Sequence, residues 1–198
     1  DKLDYLLRFV DPHLKATEAI TRLMTEIVVQ LSASTKIPFD VRELGHSLED
    51  EFDELRSTLY VRGMKYLEKL DNLQWAVGNF TTVAADFQLR FVRDDVARVL
   101  DTRRFNDRVM QVSRAFIHPE GLPGNPRVKN VLFAPNSKGG DSTFTGIREA
   151  FDAYELSPSK ALWDVVEQQI AIAMLSVQSA TRILSEDLFA RGGAPPSS

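Results

Sequence analysis

The side chains that could bind a metal are few and widely separated along the chain. The histidines are His13, His46 and His118, and the sequence contains no cysteine. Zinc and iron sites need three or four protein ligands that converge on one point. The residue types therefore predict no metal site and exclude iron–sulfur clusters, thiolate zinc sites and disulfides.

One pair of residues has a spacing that is known from metal proteins. Glu43 and His46 form a Glu-x-x-His motif, which in carboxylate-bridged di-iron bundles occurs twice and is joined by two further glutamates. Here the motif occurs once. Glu43 also stands three residues after Asp40, the spacing of a helix capping box. We therefore expect His46 on a helix surface and not at a metal.

Motifs for covalent catalysis and phosphate binding are missing from the sequence. It contains no Gly-x-Ser-x-Gly elbow, and the glycines after Lys138 lack the spacing of a phosphate-binding loop. Asn79-Phe80-Thr81 is the only glycosylation sequon, so Asn79 is a candidate glycosylation site. The residues predict no catalytic centre and no cofactor in this chain.

The composition narrows the class of protein further. The 198 residues include 24 Lys and Arg against 28 Asp and Glu, which gives a net charge of −4. This balance lacks the basic stripe of a nucleic-acid-binding protein. No apolar run approaches the roughly 20 residues that cross a bilayer, so we expect no direct membrane insertion.

The spacing of apolar residues predicts an all-α protein that resembles a four-helix bundle. Apolar side chains recur every three and four residues, as on one face of a helix. Start signals are Asp11-Pro12, Asp40, Asp71, Asp101-Thr102 and Ser157-Pro158. The predicted helices cover residues 11–34, 40–60, 71–91, 101–116, 147–154 and 157–189.

One long irregular insertion interrupts this helical pattern. Proline and glycine are dense from His118 to Thr145, which excludes a long helix there. The only strand-like run inside it is Val128–Phe133. The tail from residue 191 to 198 is rich in Gly, Pro and Ser, and we expect it to be disordered.

The last predicted helix carries apolar side chains on more than one side. A helix of this kind must be covered over most of its circumference. Either it is the central helix of the bundle, or part of it is a subunit interface. The candidate interface residues are Trp163, Ile170, Met174 and Val177.

Eight short segments resemble one protein family in their order and spacing. They are Ile37–Asp40, Val77–Thr81, Arg114–Ile117, Pro119–Pro123, Phe133–Pro135, Phe144–Ile147, Ser157–Trp163 and Val177–Ala180. From Asp11 to Phe189 the chain resembles the C-terminal helical domain of the glutamate carboxypeptidase II, or prostate-specific membrane antigen, family. This domain is the transferrin-receptor-like dimerisation domain.

The resemblance implies a domain organisation and a role. Residues 1–36 would close an upstream peptidase-like domain, and residues 37–190 would form the homodimerisation domain. The parent would be a single-pass membrane protein with this domain on the luminal or extracellular side, in the secretory pathway, the vacuole or at the cell surface. Zinc would sit in the missing peptidase domain. The partners would be a second copy and that upstream domain.

Two alternatives to a purely structural role remain open. In the family, the loop corresponding to residues 136–143 reaches the peptidase site, so Lys138 could contact substrate; otherwise it is an exposed loop lysine. This loop lacks a tyrosine, and Thr145 replaces the family's proline. The parent could also be receptor-like, with an inactive peptidase site and a helical domain that binds a protein ligand.

Overall fold

The computed structural model describes residues 3–64, 68–93, 99–123, 126–135 and 141–185. The chain divides into two compact units, Asp1–Pro38 and Phe39–Ser198. Lys138 and the tail 191–198 lie outside the described residues. That residues 1–36 close a peptidase-like domain stays a prediction.

The first unit is helical. It contains α1 (Leu3–Tyr5), a π-helical turn (Leu6–Val10) and α2 (Lys15–Ala33). The predicted start of α2 at Asp11-Pro12 is wrong by about one turn. The Asp11 carboxylate accepts hydrogen bonds from the backbone N–H groups of Ala16 and Thr17, at 3.3 and 2.8 Å, and thereby caps a helix that starts later.

The second unit confirms the all-α prediction. Its helices include α3 (Val41–Val61), α4 (Glu68–Arg93), α5 (Val99–Ala115), α6 (Thr145–Leu156) and α7 (Lys160–Ser185), and two short strands, β1 (Phe133–Pro135) and β2 (Asp141–Thr143), form a hairpin. α7 packs against α4, α5 and α6, and α3 packs against α4. The largest fully buried side chains include Phe52, Phe80, Phe105 and Phe144.

Local signals explain where α3 begins and ends. The Asp40 carboxylate accepts a 3.0 Å hydrogen bond from the Arg42 backbone N–H, as predicted for an N-cap. After α3, Gly63 adopts φ 88°, a left-handed conformation that glycine tolerates best. Asp71 does not cap α4 as predicted. It lies inside α4, and its carboxylate pairs with Arg56 on α3 at 2.9 Å.

α7 begins later than the Ser157-Pro158 signal predicts. The Ser159 hydroxyl accepts from the Leu162 backbone N–H at 3.3 Å, so Ser159 occupies the capping position. One face of α7 is buried among its neighbours. The buried apolar residues on this face are Val166, Ile170, Ala173, Val177, Ala180 and Leu184.

The insertion contains less strand than Val128–Phe133 predicts. The Asn130 side chain accepts from the backbone N–H groups of Leu132 and Phe133, at 3.1 and 3.0 Å, and this turn interrupts the run. The strand begins only at Phe133. It pairs antiparallel with β2, with Phe133 opposite Thr143 and Pro135 opposite Asp141.

Candidate functional site

The last helix presents three different surfaces. Successive residues turn by about 100° around the helix axis. Opposite the buried face is an exposed surface, which we call the outward face: Asp164, Gln168, Ala171, Leu175, Ser179 and Arg182. Between the two lie half-buried side chains, including Trp163, Glu167 and Met174 on one side and Val165, Ile172 and Ile183 on the other.

The four candidate interface residues occupy two of these surfaces. Ile170 and Val177 are 3% and 0% exposed and pack inside the protomer. Trp163 and Met174 are half-buried beside them. The assignment of all four to a subunit contact stays a prediction, and only Trp163 and Met174 offer side-chain surface to a second molecule.

Trp163 contacts two neighbouring side chains, and one of them is paired with a third residue. Its indole N–H donates to Glu167 Oε1 at 2.9 Å, and Glu167 Oε2 pairs with Lys69 Nζ of α4 at 2.5 Å. The Tyr154 ring meets the Trp163 ring edge-on, with centroids 5.2 Å apart. This geometry ties the beginning of α7 to both α4 and α6.

Two open clefts flank the Trp163 ring. One, of about 430 Å³, is lined by Tyr154, Pro158, Ser159, Lys160 and Trp163. The other, of about 250 Å³, is lined by Met64, Glu68, Lys69, Trp163, Glu167 and Ile170. An occupant of the first cleft would meet aromatic rings beside the Lys160 ammonium group, and an occupant of the second would meet Trp163 beside both ammonium and carboxylate groups.

The contacts among Trp163, Glu167 and Lys69 favour the ionised form of Glu167. Lys69 lowers the pKa of Glu167 by donating to its carboxylate, and the Trp163 N–H adds to the effect, while desolvation opposes it. Glu167 therefore stays ionised at neutral pH. Such a carboxylate suits a structural ion pair better than proton transfer.

Sequence reasoning missed the outward face as a candidate surface. Leu175 is 56% exposed, although it is among the most apolar residues of α7. The helical spacing of about 100° per residue places Leu175 outside the buried stripe, but the four candidate interface residues do not include it. Other exposed apolar side chains of the second unit include Trp75 on α4 and Met110 on α5, at 66% and 47%.

The hairpin has firmly held ends. Phe144 is fully buried, and the buried Thr145 hydroxyl lies 2.8 Å from the Ala134 carbonyl and 3.0 Å from the Ser142 carbonyl. The Thr145 hydroxyl thus lies within hydrogen-bonding distance of one carbonyl group in each strand.

The remaining candidate residues lie apart from one another. His46 is exposed on α3, as predicted, and Asn79 is half-buried in the middle of α4, where its glycosylation stays a prediction. Across the residues that the structure describes, no group of three or more His, Asp or Glu side chains could hold a metal. In that same part of the chain, no helix is long and apolar enough to cross a membrane.

The helices around α7 match the domain of a known family. The family model for the transferrin receptor-like dimerisation domain matches residues 68–185, which run from the start of α4 to the end of α7. This is more than half of the chain. The chain belongs to the transferrin receptor-like dimerisation domain family, whose description implies self-association.

Proteins that are similar to this chain include peptidases. The chain is 28% identical to Aminopeptidase NAALADL1 of Mus musculus over 187 residues, which cover 93% of this chain and 25% of the mouse protein. It is 22% identical to Probable glutamate carboxypeptidase LAMP1 of Arabidopsis thaliana over 191 residues, which cover 96% of this chain and 27% of the plant protein. The chain thus spans about a quarter of the length of these relatives.

Proposed function

We propose that this chain is a non-catalytic homodimerisation domain of a longer, peptidase-type protein. The observation that carries the proposal is the family match over α4 to α7. These helices contribute to the core of the second unit and also expose apolar side chains.

The non-catalytic role is supported by how the charged groups are used. The pKa values of Asp11, Asp40 and Glu167 are lowered, chiefly by hydrogen bonds from Thr17, Arg42 and Lys69 respectively. That of Arg62 is raised, chiefly by its hydrogen bond to Glu155. Each shift stabilises the charged form, whereas a catalytic acid or base needs a pKa near the working pH.

The proposed parent carries a zinc peptidase domain upstream of this chain and a membrane anchor, with this domain luminal or extracellular. The names of the relatives support a peptidase-type parent. The family resemblance is the basis for the zinc, the anchor and the location. Zinc ligands and an apolar span of about 20 residues in the upstream sequence would support this parent, and their absence would contradict it.

Light scattering after size exclusion tests the homodimer directly. The monomer mass is 22.3 kDa, so we expect a species of twice that mass at micromolar concentration. A monomer at all concentrations up to the solubility limit would contradict the proposed function.

Metal analysis and a peptidase assay test the non-catalytic role. After incubation with zinc and dialysis, we expect no stoichiometric metal and no cleavage of dipeptide or glutamyl-peptide substrates. Turnover that rises in proportion to protein concentration and survives repurification would contradict this part of the proposal.

A second candidate function concerns the hairpin. Its fixed ends at Ala134 and Thr145 would suit a loop that completes the substrate site of an upstream peptidase domain, with Lys138 as the contact residue. In the full-length parent, Lys138→Met would then raise KM with little change in kcat. Equal kinetics for this variant and the wild type would exclude that role.

A further inference from the structure

The outward face of α7 is uncharged in its middle and carries charges near its two ends. Asp164 lies near the beginning of α7, with the exposed Lys160 one turn before it, and Arg182 lies in the last turn. Gln168, Ala171, Leu175 and Ser179 lie between Asp164 and Arg182, and all are exposed. The face thus combines an apolar centre at Ala171 and Leu175 with a carboxylate towards one end and a guanidinium at the other.

Within the part of the chain that the structure describes, no ion pair joins Asp164 or Arg182 to another side chain. The only other charged residue of α7 beyond its first position is Glu167, which pairs with Lys69. Asp164 and Arg182 are therefore available to a second molecule.

We infer that a second copy of this chain packs its own α7 antiparallel against the outward face, across a two-fold axis that crosses the helix pair at the height of position 173, between Ala171 and Leu175. This inference rests on the proposed homodimer and names its central contact. A two-fold axis at position 173 pairs residues whose numbers are equally far from 173. Asp164 then faces Arg182 of the partner subunit, and Ala171 faces Leu175 of the partner subunit.

The pairing is self-complementary, as a two-fold interface requires. Each Asp164–Arg182 contact occurs twice, once on either side of the axis. Gln168 faces Gln178 of the partner subunit, so amides meet amides. A parallel arrangement in register would instead place Asp164 against Asp164 of the partner subunit and Arg182 against Arg182 of the partner subunit, with repulsion at both ends.

The spacing of the charges also selects a crossing angle. Asp164 and Arg182 are separated by about 27 Å along the helix, at 1.5 Å per residue, so each lies about 13 Å from the axis. At a crossing angle of about 20°, the two helix axes are offset sideways by only about 5 Å at that distance, which long side chains can span. At about 50° the offset exceeds 10 Å and the charges separate. The face therefore fits the shallower crossing.

The flank of α7 that carries Trp163 and Glu167 is less suited to this contact. Trp163 is already engaged by Glu167 and Tyr154, and Glu167 by Lys69. A helix docked there would compete with these contacts, whereas the outward face has no such contacts among the described residues and carries the small Ala171 near its centre.

A charge-exchange series tests the register. We expect Arg182→Asp and Asp164→Arg each to weaken dimerisation about 10- to 30-fold, because two attractive pairs become repulsive. The double variant Asp164→Arg with Arg182→Asp should return the dissociation constant to within about threefold of wild type. Arg103→Asp with Asp107→Arg, on the exposed side of α5, is the matched control and should change nothing.

Site-specific crosslinking tests the direction of the helices. Since the chain has no native cysteine, Asp164→Cys combined with Arg182→Cys introduces the only thiols. A short bismaleimide linker should join this double variant into covalent dimers. Each single variant should stay uncrosslinked, because like positions are about 27 Å apart in the antiparallel pair. Crosslinking of a single variant would indicate a parallel pair and overturn the inference.

The outcomes separate this inference from the proposed function. If the wild-type chain is a dimer but the charge variants dimerise equally well, the homodimer stands and the α7 pairing is wrong. If the wild-type chain is a monomer, both are wrong. Circular dichroism on each variant checks that the exposed substitutions leave the helical fold intact.

Discussion

The indole N–H of Trp163 donates to Glu167 Oε1 at 2.9 Å, one turn further along α7, and Glu167 Oε2 pairs with Lys69 of α4. One carboxylate therefore holds an aromatic side chain and a second helix at once. Its two oxygens accept from two different donors, and the ion pair with Lys69 requires the ionised form of Glu167.

This relationship predicts a pH-dependent contribution to stability. Lys69 holds the pKa of Glu167 below its ordinary value of 4.5 in the folded state. The stabilisation is therefore present above about pH 4.5 and is lost as the pH falls through the lower, folded-state value. Chemical unfolding from pH 7 to pH 3 should show that Glu167→Gln is less stable than wild type at pH 7 and that the gap closes in acid.

The control for this experiment is Glu120→Gln, which removes a carboxylate from an exposed turn. We expect that variant to differ little from wild type at pH 7. A stability gap for Glu167→Gln that is constant from pH 7 to pH 3 would contradict the assignment.

The contact between α3 and α4 depends on Gly45. A Cβ at this position would stand 3.0 Å from Thr81 Cα and 3.1 Å from its Oγ1. At Gly78, in the interior of α4, the nearest atom to such a Cβ is 3.8 Å away. Both Gly→Ala variants gain about 1 kcal/mol of helix propensity, but only Gly45→Ala also overpacks a helix contact.

We therefore expect Gly45→Ala to be less stable than Gly78→Ala by about 1–3 kcal/mol in denaturant unfolding. Equal stabilities would mean that α3 and α4 can separate at this point without cost.

Thr145 offers a test of how the hairpin is held. Its buried hydroxyl lies within hydrogen-bonding distance of carbonyl groups on both sides of the hairpin, Ala134 and Ser142. Thr145→Val keeps the shape but leaves carbonyl groups without this donor, which should cost about 1–3 kcal/mol of unfolding free energy. Thr82→Val removes an exposed hydroxyl from α4 and should cost less than about 0.5 kcal/mol. Similar costs for both would refute the proposed anchor.

Much of the fold could be predicted from the sequence because periodicity reports directly on burial. The stripe from Val166 to Leu184 predicts the buried face of α7, and all of its members are buried. The predicted first residues of the helices are less accurate, because several nearby residues have side chains that can cap a helix N-terminus. Asp71 has the residue type of a cap but pairs with Arg56 inside a helix, and Ser159 caps where Ser157 was expected.

The candidate site was harder to predict than the fold. Apolar character alone does not separate core residues from interface residues. The four candidate interface residues therefore combine Ile170 and Val177 with Trp163 and Met174. Burial separates them because α4, α5 and α6 cover one side of α7 and leave the other exposed. The Trp163–Glu167–Lys69 cluster joins residues that are almost 100 positions apart, and no local pattern encodes such a contact.

The exposed apolar face of α2 gives the last prediction. Ile20, Leu23 and Met24 are 62%, 60% and 54% exposed, and α2 has no buried residue. Leu23→Glu should therefore change the unfolding free energy of the second unit by less than about 0.5 kcal/mol. Leu55→Ala, at a fully buried position of α3, should lower it by about 2–5 kcal/mol.

The same Leu23 variant should bind less of the dye ANS, because an apolar patch has been interrupted. In the proposed longer parent, an upstream domain would cover this face, so Leu23→Glu should destabilise that protein although it leaves this chain unaffected. A large loss of stability in this chain would show that Leu23 is already packed in it. That result would contradict the expectation that an upstream domain covers this face.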